Sequence, residues 1–157
     1  MQFFKYLSVS VLASLFFVQC SSAQKLEQDA PFKTSKAYYQ KWIAGRQGGG
    51  SGINVFIPVT TPLVSVKLDS LYFRGQKVIL QLEPSNGSLF IGRIITENNQ
   101  RDGFKASTTE MPFELNDNQA VISYIENGIT KYFKIDNIVE KQMQQYPSAP
   151  PRNRNKQ

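Results

Sequence analysis

The sequence predicts an all-β domain, an antiparallel sandwich or small barrel of about seven strands, on three observations. Short apolar runs alternate with polar residues at the two-residue period of a strand, most cleanly at Val78, Leu80 and Leu82. Turn signals separate these runs, with Asn127-Gly128 and Pro84-Ser-Asn-Gly87 the clearest. The domain from Ile53 to Ile135 carries this texture apart from its loops, and the ambiguous stretch before it, residues 32–45, is read as a strand for its aromatic content.

The chain opens with a basic residue, Lys5, then an apolar run from Tyr6 to Val18 broken by three serines, then small residues. The run is shorter than the roughly 20 residues that span a bilayer and has the layout of a secretory signal. Cleavage after Ala23 would make residues 1–23 a signal peptide and start the mature chain at Gln24. The alternative cleavage precedes Cys20, followed by its acylation; Gln19 and Phe17 depart from the usual lipoprotein pattern. Either route implies export, to the periplasm or medium in the first case and to a lipid anchor in the outer membrane in the second. Membrane association is expected only if Cys20 is acylated. Cys20 is the single cysteine, so neither route leaves a thiol for disulfides, catalysis or metal in the folded domain.

Residues 24–31 read as a polar tether, residues 32–140 as one β-rich domain, and residues 141–157, with three prolines and no apolar rhythm, as a disordered tail. Within the domain, Gly45 to Gly52 is a glycine-rich loop, Ile53 to Val59 a strand, and Val64, Val66 and Leu68 the apolar side of the next. After Asp69-Ser70 the apolar phase shifts by one, to Leu71 and Phe73, which a bulge would explain. Lys77–Glu83 is a strand, and Ser88–Thr96, apolar on both parities, a central one. Residues 97–110 form a polar loop, and Pro112–Leu115 a short edge strand. Asn127-Gly128 closes a two-residue hairpin that pairs Ala120 with Ile135, Ile122 with Phe133 and Tyr124 with Lys131.

Four stretches, Trp42-Ile-Ala-Gly-Arg-Gln-Gly-Gly-Gly-Ser-Gly-Ile-Asn54, Leu68-Asp-Ser-Leu-Tyr-Phe-Arg-Gly75, Ser123-Tyr-Ile-Glu-Asn-Gly-Ile-Thr-Lys-Tyr-Phe133 and Tyr146-Pro-Ser-Ala-Pro-Pro151, resemble a family of small exported proteins of flavobacteria and their relatives. The resemblance implies a Gram-negative envelope address. It carries no activity.

The chemistry is bounded mainly by what is missing. There is no histidine, which removes the commonest general base and metal ligand. The formal charge of +6 is scattered, without the basic stripe of a nucleic-acid binder, so no nucleic-acid partner is expected. The glycine loop is followed by a strand and lacks the lysine of a phosphate-binding loop. It is read as a connection whose binding alternative uses Trp42 and Arg46. Asp69, Glu83, Glu97, Asp102, Glu110 and Glu114 are the acids from which a glycoside-hydrolase pair could be drawn, with no pairing evident. Asn98 to Gly103 lacks the alternating acids of a calcium loop. Asn86-Gly-Ser88 and Asp69-Ser-Leu71 match short glycan-acceptor patterns, with a turn and a strand kink as the plainer readings.

These observations lead to a non-enzymatic envelope domain with a binding or structural role, no cofactor, no metal and an unknown envelope component or glycan as partner. The alternatives are a periplasmic glycan-binding module and a small carboxylate-based hydrolase.

Overall fold

The computed structural model describes residues 24–45, 49–97 and 111–147. Among them there are nine strands and no helix: β1 (Leu26–Glu27), β2 (Tyr38–Ala44), β3 (Ser51–Pro58), β4 (Val66–Phe73), β5 (Gln76–Glu83), β6 (Asn86–Glu97), β7 (Ala120–Glu126), β8 (Ile129–Ile135) and β9 (Val139–Tyr146). The all-β expectation holds. The sandwich or closed barrel of about seven antiparallel strands gives way to one open, mixed sheet in the order β1-β8-β7-β4-β5-β6-β3-β2-β9.

The two added strands lie where the sequence suggested unstructured chain. β1 falls inside the expected tether and pairs parallel with β8 at Tyr132 and Phe133. β9 carries the domain past residue 140 into the expected tail, pairing parallel with β2 from Tyr38–Val139 to Ala44–Tyr146. All eight β9 residues are exposed, so no apolar rhythm marks the strand; the backbone ladder to β2 holds it. Residues 148–157, like residues 1–23 and 98–110, where a signal peptide and a polar loop were expected, lie outside the described residues.

A flat sheet could not take this connectivity. β8 and β9 stand seven places apart, roughly 34 Å at the usual strand spacing, yet only Asp136, Asn137 and Ile138 join them. Ile135 to Val139 spans at most about 14 Å of extended chain. The sheet therefore curls until its edges approach. Packing shows the same curl: Tyr39 of β2 and Phe73 of β4, four places apart, bring their rings within 5.3 Å. The concave face holds the core, with Val55, Ile57, Leu71, Phe73 and Ile122 fully buried and Tyr124 and Ile94 nearly so. Phe32, before β2, caps it edge-on against Tyr124 and Phe133.

The Asn127-Gly128 hairpin has the expected register, with both turn residues at positive φ, 50° and 78°. The phase slip in β4 is a bulge: Leu68 faces Tyr124, Ser70 faces Ser123, and Asp69 has no partner of its own. Ser51-Gly52 belongs to β3 rather than to the glycine loop. Val64 is 91 % exposed and precedes β4. The turn after β5 is centred on Pro84-Ser85, so Asn86 already pairs with Glu83. Pro112–Leu115 is not a strand; Phe113 instead packs its ring on Tyr72 and Tyr132 of the convex face.

Candidate functional site

Side chains alternate across a strand, so the buried positions Tyr39, Val55 and Ile94 fix the parity of β2, β3 and β6. Their neighbours point outward, and the ladder registers align them in three rows. The first runs Gln81, Ile91, Phe56, Tyr38, Val139 across β5, β6, β3, β2 and β9. The second runs Arg93, Asn54, Gln40, Lys141. The third runs Ile95, Gly52, Trp42, Gln144, with Tyr146 beside Trp42 at 6.1 Å between ring centroids. A polar row bounded by two cations thus lies between two rows that carry aromatic rings.

The packing of the face holds these groups in place. Tyr38 stacks on Phe56 at 4.7 Å, and the Lys141 ammonium sits 3.4 Å from the centre of the Tyr38 ring, a cation–π contact. The Gln40 amide donates to the Gln142 carbonyl at 2.7 Å. Arg93 donates to Gln81 at 2.9 Å and lies 3.8 Å from the Glu83 carboxylate, with about half of its side chain still exposed. Trp42 is half-buried, and its indole occupies the space a side chain on Gly52 would take. The sequence named Trp42 with Arg46 as the binding alternative of the glycine loop; Trp42 lies outside the buried core cluster, while Arg46 lies outside the described residues, as does Cys20. Tyr38, Gln40, Asn54, Arg93 and Lys141 were missed. Their one legible signal was alternation in β2 and β3, and Lys141 had none because β9 was read as tail.

A second constellation lies at the rim of the concave face. The Tyr39 hydroxyl donates to Glu140 at 2.5 Å, Arg74 donates to Tyr39 at 2.7 Å and to the Asp117 carbonyl at 3.1 Å, and Lys41 pairs with Glu140 at 2.8 Å. The Lys41 hydrogen bond, and after it the Tyr39 hydroxyl, hold the Glu140 carboxyl below its ordinary value. Burial, then the bond to Glu140, pushes the Tyr39 phenol up. The group fixes an ionised carboxylate against a neutral phenol, which is the chemistry of a clamp.

The expected acids are engaged separately. Asp69 accepts from Ser70 at 2.8 Å and Ser123 at 3.1 Å, and both serines are buried. Ser70 is therefore closed to glycan attachment in the folded chain, and the strand-kink reading of Asp69-Ser-Leu71 stands. Asn86 accepts from Ser88, Glu83 is tied to Ser85 and Arg93, and Glu114 is exposed. Glu97 ends β6, while Asp102, Glu110 and the 98–103 stretch lie outside the described residues. Among the described residues no three His, Cys, Asp or Glu side chains converge, and no helix is long and apolar enough to cross a membrane. Comparison with protein-family models, curated proteins and solved structures returns no match to this chain.

Proposed function

We propose that this chain is an exported cell-envelope domain with a binding role, and that its working surface is the convex face of β6, β3, β2 and β9. The observation that carries the reading is the alignment of Tyr38, Phe56 and Trp42 on either side of the Arg93–Lys141 row, outside the core and on contiguous strands. Side chains that serve only solubility need no such order, and aromatic groups already packed on a rigid sheet lose little entropy on binding. The export half of the reading rests on the leader-like residues 1–23.

Two measurements test it. Purified chain is sedimented with the insoluble envelope fraction of a Gram-negative bacterium. Wild type should co-sediment, and Trp42→Ala should lose most of that binding while Tm falls by only a few degrees, about 1 kcal/mol. Unchanged sedimentation, or a collapse of Tm that marks Trp42 as a pillar of the fold, would sink the assignment of the face. The mass of the mature N-terminal peptide tests the address: a start at Gln24 or an acylated Cys20 supports export, and an intact Met1 refutes it.

A further inference from the structure

We infer that the ligand of this face is an acidic polysaccharide laid across the strands, along the row Arg93, Asn54, Gln40, Lys141; the inference rests on the binding reading above. The row gives the argument its chemistry. Its ends are an Arg and a Lys, three strand spacings or roughly 14 Å apart. Its middle is two half-buried amides, each able to donate to and accept from a hydroxyl. Tyr38 is stacked on Phe56 and covered by Lys141, which leaves the half-buried Trp42, lying over Gly52, to offer apolar surface to the C–H side of a sugar. A chain of hydroxyl-bearing rings with a carboxylate at intervals matches all three elements.

Other anionic partners match less well. Double-stranded DNA carries a charge about every 1.7 Å, whereas this row meets its ligand with two cations, one of them shared with Glu83. A lipid surface would meet a strip of amides where it needs apolar insertion or a denser positive field. Lys141 is held over Tyr38 rather than free, so its charge is placed before the ligand arrives.

The test uses the full exported chain and two probes with one backbone: polygalacturonate and its methyl ester, which lacks the charge. Affinity electrophoresis or an NMR titration should show binding to the acid at least about tenfold tighter than to the ester, since a hydrogen bond to a charged group exceeds that factor. High salt should weaken it. Arg93→Gln with Lys141→Gln should lose a further factor of about ten. Glu83→Gln, which frees Arg93 and removes a like charge, should tighten binding, a gain that misfolding cannot produce.

Equal affinity for acid and ester would overturn the acidic class and leave the binding face standing. Unchanged binding in the Arg93/Lys141 double variant would overturn the placement of the polymer on this row, because it would then sit elsewhere. Polyuridylate or phosphatidylglycerol vesicles bound as tightly as polygalacturonate would reduce the effect to general charge attraction and overturn it. Neither polymer bound, with Trp42-dependent sedimentation of envelope material intact, would reject a polysaccharide ligand. Loss of that sedimentation dependence as well would reject the face itself.

Discussion

Gly52 shows how much the convex face depends on one missing side chain. A Cβ there would fall onto the Ile94 carbonyl oxygen and 2.6 Å from Trp42 Nε1. The carbonyl belongs to β6, paired with β3 from Gly52–Ile95 to Pro58–Leu89, and cannot withdraw without disturbing the ladder. Gly52→Ala should therefore cost about 1–3 kcal/mol, the range for inserting a methyl into filled space. Gly87→Ala, with open space around the new methyl, should stay within about 0.5 kcal/mol. Thermal melts of the two variants decide the point, and equal Tm values would refute the packing account. In sequence, Gly52 sits at the end of a glycine run and reads as loop; its role follows only from the register that sets Trp42 opposite it. Arg74 carries a different residue-scale signal. It holds φ 48° in the turn between β4 and β5, a conformation that costs an L residue about 1 kcal/mol. Its guanidinium bonds to Tyr39 and Asp117 supply the compensating contacts.

At the scale of the element, the bulge in β4 was legible because it changes what a strand displays. Leu68 and Leu71 both join the same core cluster though three residues apart, and the extra residue at Asp69 is what allows that in a strand of period two. The hairpin after β7 was legible because Asn-Gly fixes both turn type and register. The Arg74-Gly75 turn gave a weaker signal, arginine being an unusual residue at positive φ. β1 and β9 gave none, since an exposed edge strand needs only free backbone groups and a partner. The bulge also has a measurable chemistry. Asp69 accepts hydroxyl protons from two buried serines, so Asp69→Ala strands both. Ser123 can still turn toward the Ser70 carbonyl, 3.4 Å away, which places the loss at about 1–2 kcal/mol. Asp69→Asn keeps an acceptor and should lose less. A lower denaturant midpoint at unchanged slope is the expected record. Equal midpoints for Asp69→Ala and wild type would show that the serines find other acceptors.

At the scale of the whole molecule, what the sequence could not carry is strand order. Local rhythm says that a segment is a strand, but a curled sheet with parallel edges is fixed by long-range pairings such as β2 with β9, about a hundred residues apart. The clamp at the rim draws those distant parts together: Arg74 from the β4–β5 turn, Tyr39 and Lys41 from β2, Glu140 from β9. It is the described side-chain tie of β9 on the concave side, and it also sets the strand that carries Lys141 to the candidate site. Its dependence on pH has a definite sign. The folded state holds the Glu140 carboxyl below its ordinary value of 4.5, so the folded state binds the proton less readily than the unfolded chain. Stability from this group is therefore complete above that value and is lost as pH falls through the lower, folded one. Tm of wild type should drop more steeply than that of Glu140→Gln as pH falls below 4.5, and the two curves should run parallel above it. Because β9 is an edge strand with its ladder on β2 and is exposed along its length, its amides should be the first to exchange faster with solvent on acidification, ahead of those in β7. Parallel Tm curves across the whole acid range would show that Glu140 contributes no charge-dependent hold. Exchange that rises first in β7 would place the acid-sensitive contact elsewhere in the sheet.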